Sequence, residues 1–272
     1  MVQHNFCVRI LGCGSSGGVP RIGNRWGSCD PDEPKNRRSR CSILVSTVEE
    51  GTASTKILVD TSPDMREQLL AAQIKHLDAV LFTHDHADQT HGLDDLRQIA
   101  YVMGQRVPVY LDAITRKTLY RRFGYAFEQP EDSPYPAILH AHQMPTLGET
   151  FLVQGAGSAI PVVPFLVEHG PVVQALGFRF GGIAYTPDVS NIPDESIKVL
   201  AGVDTWIIDA LRIEPHPTHF NLDAALQWIE RINPRQAILT NMHIDLDYQT
   251  LTKELPNHII PAHDGLELYS HF

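Results

Sequence analysis

The stretch Leu81-Phe82-Thr83-His84-Asp85-His86-Ala87-Asp88-Gln89-Thr90-His91-Gly92 decides both the fold and the chemistry of this chain. The apolar run 79–82 predicts a buried strand, and His84, His86 and Asp88 follow it at i, i+2 and i+4. In a loop just past a strand end, this spacing can turn three donors toward one point. Imidazole nitrogen and carboxylate oxygen are ligands for Zn²⁺, Mn²⁺ or Fe²⁺. A polar surface turn is the alternative, and so dense a cluster directly after a buried strand argues against it.

The composition narrows the class of protein. The chain has 272 residues, of which 43% are hydrophobic, enough for one large domain with an ample core. We therefore take 1–272 as a single domain, with an excursion at about 127–145, where prolines break the pattern. The net charge of −10 argues against a general nucleic-acid binder, which needs a basic face. An acidic protein can still bind one phosphate group through a metal.

Membrane and secretory signals are not visible in the sequence. No apolar run approaches the about 20 residues of a membrane span, and residues 1–5 lack the basic-then-apolar pattern of a signal peptide. Cys7, Cys13, Cys29 and Cys41 form no Cys-x-x-Cys pair, so we interpret them as reduced thiols. A cytoplasmic location is the expectation.

Strands and helices alternate along the chain, which indicates an α/β protein. Ser62 is predicted to cap one helix, with Pro63 at its first position, and Asn221 to cap another at 222–232. Loops at one end of a sheet carry the chemistry of α/β proteins. Predicted strands end in candidate ligands at five places, namely Asp60, the 84–88 cluster, His169, Asp188 and His243.

From these motifs the chain is identified as a member of the metallo-β-lactamase superfamily. The match includes the first strand with its Gly- and Ser-rich turn, Asp60, Thr-His-x-His-x-Asp at 83–88, His169 and Asp188, in that order. Within the superfamily the chain most resembles the PhnP-like branch, the phosphoribosyl cyclic phosphodiesterases. The segments that carry this resemblance are 92–97, 219–222, 246–248 and 264–265. The resemblance implies an αββα four-layer sandwich with metals at one sheet edge.

Carried over to this sequence, the resemblance assigns one metal to His84, His86 and His169, with Asp188 as a bridge. A second metal would take Asp88, Asp188 and two further histidines. At those two positions the chain has Gln89 and Asn241 instead. Two residues after each of these positions the chain has a histidine, namely His91 and His243. Since i and i+2 point the same way on an extended segment, we predict His243 as a replacement ligand. His91, where a helix should start, is harder to place. One or two divalent ions per chain, zinc or manganese, are expected.

The expected reaction is hydrolysis of a phosphodiester by a metal-activated water, whose pKa a divalent ion lowers to about 7. Asp88 would orient this water or hold the second metal. Asp60 would accept an N–H from a ligand histidine and fix its tautomer. His219 is the candidate general acid or phosphate contact, and a plain loop histidine is the alternative. The PhnP-like branch also has a cysteine-rich structural zinc site, and since Cys29 stands almost alone in that region, we expect none here.

The expected function is a metal-dependent phosphodiesterase for a small cyclic phosphodiester or a nucleotide-like substrate. A thioesterase of the glyoxalase type stays open, because the metal motif does not set the substrate. A tRNA-processing nuclease would need a basic exosite arm, and the net charge of −10 argues against one. A non-catalytic phosphate-binding member with a degenerate second metal site is a further alternative, motivated by Gln89 and Asn241. The expected partners are a small phosphorylated substrate of the nucleotide or ribose phosphate class and no membrane. A homodimer stays open.

Overall fold

The computed structural model describes residues 5–48 and 53–271. These residues contain two seven-stranded sheets. The strands, in chain order, are β1 (Asn5–Gly12), β2 (Ser42–Val48), β3 (Lys56–Val59), β4 (Ala79–Leu81), β5 (Val107–Leu111), β6 (Leu139–Gln143), β7 (Phe151–Val153), β8 (Ile160–His169), β9 (Val173–Phe180), β10 (Ile183–Thr186), β11 (Thr205–Asp209), β12 (Gln236–Thr240), β13 (Ile259–Pro261) and β14 (Glu267–His271).

The helices are α1 (Met65–Ala71), α2 (Ala87–Thr90), α3 (Leu96–Met103), α4 (Ala113–Phe127), α5 (Asp194–Leu200), α6 (Leu222–Ile232) and α7 (Tyr248–Glu254). Short 3-10 turns lie at Pro34–Asn36 and Leu93–Asp95. None of the helices in the described ranges is long and apolar enough to cross a membrane.

The first sheet has the order β14-β1-β2-β3-β4-β5-β6, and the second has β13-β12-β11-β10-β9-β8-β7. The strands from β3 to β6 run parallel to one another. The strands from β10 to β13 do the same in the other sheet. Each sheet therefore has an edge at which several carboxyl ends lie together, as the sequence predicted.

The alternation of side chains at β4 explains the layering. Ala79 and Leu81 lie in an apolar cluster that contains strands of both sheets, including Ile207. Val80 and Phe82 face the other way and pack with residues of α1, α3 and α4. In the second sheet's half, α5, α6 and α7 add buried apolar side chains to the first cluster. The predicted αββα four-layer sandwich is confirmed.

The predicted excursion at 127–145 is only partly irregular. Residues up to Phe127 belong to α4, and Leu139–Gln143 forms β6, which pairs in parallel with β5 at the edge of the first sheet. Pro130, Pro134, Pro136 and Pro145 stand outside this strand, so they bound it without removing a hydrogen-bond donor from it. Because prolines are frequent around it, the sequence pattern did not predict this short edge strand.

Candidate metal centre

Three histidine rings meet at the edge of the sandwich. The loop after β4 supplies His84 and His86, and the last residue of β8 supplies His169. One ligand atom from each of the three lies within 4.8 Å of the others. The closest measured pair is Nε2 of His169 and Nδ1 of His86, at 3.3 Å. Three imidazoles that bring nitrogens to one point are the donor set that zinc or manganese accepts.

A chain of hydrogen bonds sets the tautomer of His84. The hydroxyl of Thr83 donates to Oδ2 of Asp60 at 2.9 Å, and the Thr83 N–H donates to Oδ1 at 2.8 Å. Since that hydroxyl has one proton, Nδ1–H of His84, 3.0 Å away, donates to Oγ1 of Thr83. Nε2 of His84 is therefore unprotonated, and it is buried with no hydrogen-bond partner among residues 5–48 and 53–271. An orphaned buried acceptor fits a metal ligand. The sequence placed Asp60 directly on a ligand histidine, but Thr83 stands between them.

His169 is held in the matching tautomer. Its Nδ1–H donates to the backbone oxygen of Thr218 at 2.7 Å, which leaves Nε2 free. Burial, together with neighbouring His219, lowers the pKa of His169 to about 4, so the ring is neutral at neutral pH. Gly170 allows this contact. It has a φ of +82°, and a Cβ there would lie 2.5 Å from Cγ2 of Thr218.

Asp188 lies at the centre of the site, 3% exposed, just past β10. Its Oδ2 accepts a hydrogen bond from Nε2 of Gln89 at 3.0 Å. Its Oδ1 accepts one from Nδ2 of Asn241 at 3.4 Å. His169, Asp188 and His219 form a second group whose ligand atoms lie within 4.8 Å of one another. The structure thus brings the predicted bridge close to both the histidine cluster and His219.

His219 has a buried partner that the sequence did not single out. Its Nδ1 lies 2.8 Å from Oδ2 of Asp209, which also accepts the N–H of Val189 at 3.1 Å. Burial alone would lower the pKa of His219, but the Asp209 carboxylate outweighs it and raises the pKa to about 9. Asp209 ends a predicted strand, in the same manner as Asp60, and that placement was its only signal.

The remaining predicted residues lie at the walls of the site or outside it. Asp88, in the first turn of α2, lines the cavity but belongs to neither group of converging ligand atoms. His243 also lines the cavity outside both groups, and its Nδ1 contacts Oδ1 of Asp245 at 2.8 Å. His91 follows α2 and is exposed, with its ring 5.8 Å from that of Phe123.

The histidine cluster opens into a cavity of about 360 Å³. Arg21 and Arg212 line it together with His86 and His169. The hydroxyl of Ser15 and Nε of Arg21 are buried there without a hydrogen-bond partner in the described residues. The cavity therefore combines imidazole nitrogens with the fixed positive charge of two arginines, an arrangement suited to an anion that also contacts a metal.

Comparison with known proteins agrees with this geometry. Residues 55–244 match the family model described as the beta-lactamase superfamily domain. The solved structure of a new diphosphatase from the PhnP family is 35% identical, covers 98% of each chain and superposes with a TM-score of 0.83. Zn²⁺-bound PqqB from Methylobacterium extorquens is 21% identical over 96% of this chain and 99% of its own, with a TM-score of 0.70. At that identity PqqB supports the fold alone.

A curated relative carries a different name. A protein of Porphyromonas gingivalis named octanoyltransferase is 33% identical over 263 residues, which is 96% of this chain. Those residues are 51% of the relative, so the chain spans about half the length of this protein.

Proposed function

Since the chain belongs to the metallo-β-lactamase superfamily of metal-dependent hydrolases, we propose that it is a phosphodiesterase for a small cyclic or nucleotide-like phosphodiester. Its likeness to a diphosphatase of the PhnP family favours a phosphate ester over a lactam or a thioester. The observation that carries the proposal is the shared cavity, in which the histidine cluster faces Arg21 and Arg212. Its volume of about 360 Å³ suits a small molecule.

The residues present fit a divalent metal. His84, His86 and His169 would hold it, and the buried Nε2 of His84, which has no partner within the described ranges, is the feature that fits a metal ligand. When bound, such an ion supplies Lewis acidity, which activates water and neutralises charge on phosphoryl oxygens. Asp188, within reach of this cluster, would complete the donor set.

The arginines would bind the substrate. Arg212 donates to the backbone oxygens of Glu214 and Pro215, so its guanidinium is held in place at the cavity wall. Fixed charge of this kind stabilises negative charge as it grows on phosphoryl oxygens and needs no reorganisation during the reaction. The same charge would concentrate an anionic substrate in a chain whose net charge is −10.

Proton transfer would fall to His219. Its contact with the buried carboxylate of Asp209 fixes the ring and keeps a proton on Nδ1. We assign His219 as the donor of a proton or a hydrogen bond to the leaving oxygen. Asp88, at the cavity wall, would orient the attacking water.

Replacing His86 with Ala tests the proposal. Hydrolysis of bis(p-nitrophenyl) phosphate should fall to background with the fold retained by circular dichroism, because one of three metal-binding nitrogens is lost. His91→Ala is the matched control, since His91 is exposed and lies outside both ligand groups, and it should keep full activity. Phosphodiesterase activity that survives in His86→Ala would contradict a metal mechanism.

The substrate panel should also include a thioester of the glyoxalase type and an octanoyl thioester. Acyl transfer through a covalent intermediate needs a Ser, Cys or Lys activated by a nearby base. Burial raises the pKa of the Cys13 and Cys41 thiols, and the Ser15 hydroxyl in the cavity contacts no base within the described ranges. We therefore expect no transfer of the octanoyl group, and the likeness to the PhnP-family diphosphatase leads us to expect phosphodiester hydrolysis to exceed hydrolysis of either thioester. The reverse order would overturn the substrate class and leave the metal site intact.

A further inference from the structure

Gln89 and Asn241 stand where the superfamily pattern has two ligands of a second metal, and both point at Asp188. Nε2 of Gln89 lies 3.0 Å from Oδ2, and Nδ2 of Asn241 lies 3.4 Å from Oδ1. The same Asn241 amide also donates to the backbone oxygen of Pro187 at 2.8 Å. Both carboxylate oxygens of Asp188 therefore face amide donors. We call these two residues the amide clamp.

The amides are oriented as donors by the carboxylate itself. A flipped Gln89 would place its oxygen against Oδ2 of Asp188, and two acceptors repel each other. The other end of the Gln89 amide, Oε1, is buried and has no hydrogen-bond partner in the part of the chain that the structure describes, so the donor contact is kept at the cost of an unsatisfied acceptor. The amide nitrogens that face the bridge donate their hydrogens to it and offer no lone pair of their own to a cation, so neither position supplies a metal ligand there.

The second group of candidate ligands does not restore a second site. It consists of His169, Asp188 and His219, and it shares His169 with the first group. Nδ1–H of His169 donates to Thr218, so His169 offers the single nitrogen Nε2. In addition, Nδ1 of His219 is taken by Asp209. Because both groups of candidate ligands need the same nitrogen of His169, they can hold only one ion between them.

His91 and His243, two residues beyond Gln89 and Asn241, do not replace the two missing ligands of the second metal. His91 is exposed and packs on Phe123. His243 lies outside both ligand groups, and its Nδ1 is held by Oδ1 of Asp245 at 2.8 Å.

From these contacts we infer that the chain holds one divalent ion per molecule, at His84, His86 and His169, and that the amide clamp replaces the second. The inference rests on the metal site of the proposed function and deepens it. Asp188, held by two N–H donors, then serves as a fixed carboxylate beside a single ion instead of bridging two.

The metal content of the purified chain tests this inference directly. The protein is dialysed against Zn²⁺, freed of excess ion and measured by mass spectrometry of the metal against protein concentration. We expect one Zn²⁺ per chain for the native sequence and a loss to near zero for His86→Ala. Two Zn²⁺ per chain in the native protein would overturn the inference.

Restoring histidines supplies the positive control. The double variant Gln89→His/Asn241→His should bind two Zn²⁺ per chain, because it returns two imidazoles beside Asp188. Asn241 has a φ of +60°, a region that histidine enters more readily than most residues. Gln89→Ala/Asn241→Ala removes the clamp without adding ligands and should still bind one. A folded double histidine variant that still binds a single Zn²⁺ would show that these two positions do not decide the number, and would overturn the inference.

The result separates the inference from the proposed function. One Zn²⁺ per chain without phosphodiester hydrolysis would refute the function and support the inference. Two Zn²⁺ per chain with phosphodiester hydrolysis would support the proposed function and refute the inference. If the double histidine variant loses its circular dichroism signature, the ratio measured on the native chain still decides.

Discussion

At the scale of single residues, motif spacing indicated the chemistry but not the supporting contacts. The histidines of the 84–88 segment and His169 come together, yet their orientation depends on Thr83 and on the backbone of Thr218. A threonine next to a histidine carries no distinctive signal. Its role is visible only in the structure, where its hydroxyl donates to Asp60, 23 residues earlier in the sequence. Asp209 was not singled out for the same reason, since its contact with His219 is visible only in the structure.

Replacing Thr83 with Val should loosen metal binding at this scale. The change keeps the shape of the side chain but removes the hydroxyl between Asp60 and His84. Loss of such a supporting contact typically lowers metal affinity by about 10–100-fold. Zn²⁺ titration by calorimetry measures the effect, and Thr83→Ser, which keeps the hydroxyl, should stay within a few-fold of the native affinity. Equal affinity in Thr83→Val and the native chain would remove Thr83 from the site.

At the scale of elements, the predicted helix caps show what local sequence can and cannot give. Asn221 caps α6 as predicted, since its Oδ1 accepts the N–H of Ala224 at 3.1 Å. Ser62 was wrong as a cap, because α1 begins at Met65 and Asp64 occupies the capping position. Ser62 instead accepts the N–H of Asp64 within the turn that precedes the helix. Polar residues before an apolar helix face predict a cap, but local competition among them decides which residue takes it.

A second cap links distant elements. Oδ1 of Asp247 accepts the N–H of Thr250 at the start of α7. Oδ2 accepts the N–H of Asp30 and Nδ2 of Asn36, at 3.2 and 2.7 Å. This one carboxylate therefore fastens the loop around 30–36, which precedes Arg38, to the segment that follows His243. Nothing in the local sequence indicates the long-range half of these contacts.

Asp247→Ala should lower the free energy of unfolding by about 1 kcal/mol at pH 7, since a helix cap is lost. Burial would raise the pKa of Asp247, but the donors around it, beginning with Thr250, lower it to about 2 from 3.8. The charged form thus stabilises the fold above about pH 4, and this contribution is lost as the pH falls toward 2. The difference between Asp247→Ala and the native chain should therefore shrink between pH 7 and pH 3.

Urea unfolding at several pH values measures the effect. Asp247→Asn keeps an oxygen acceptor for the cap but has no charge to titrate, so it serves as the control. Its free energy of unfolding should lie between those of the alanine variant and the native chain at pH 7. A gap between the native and alanine chains that widened toward acid would contradict the assignment.

At the scale of the whole molecule, the local and repeated alternation of strands and helices predicted an α/β protein, and the resemblance to the superfamily supplied the αββα sandwich. Residues 79–82 bury both faces of a central strand, and polar residues appear where the parallel strands end. The sequence could not show how the two sheets join. The N–H of Leu176 in β9 donates to the Thr83 oxygen at 2.9 Å, which links the second sheet to the loop of the histidine motif. The N–H of Met242 likewise donates to the Cys13 oxygen.

Such cross-sheet contacts explain why the site could be predicted only in outline. His84 and His86 come from the first sheet, whereas His169 and Asp188 come from the second. Their distances therefore depend on how the two halves pack, and no local pattern encodes that. The same packing decides that Gln89 and Asn241, 152 positions apart by their numbers, contact one carboxylate.

Anomalous diffraction from crystals grown with Zn²⁺, recorded on both sides of the zinc absorption edge, tests the central claim most directly. We predict one strong anomalous peak per chain, in contact with nitrogens of His84, His86 and His169 and adjacent to Asp188. The amides of Gln89 and Asn241 should remain on Asp188. A histidine cluster without a peak, or an ion bound away from these three rings, would contradict the account.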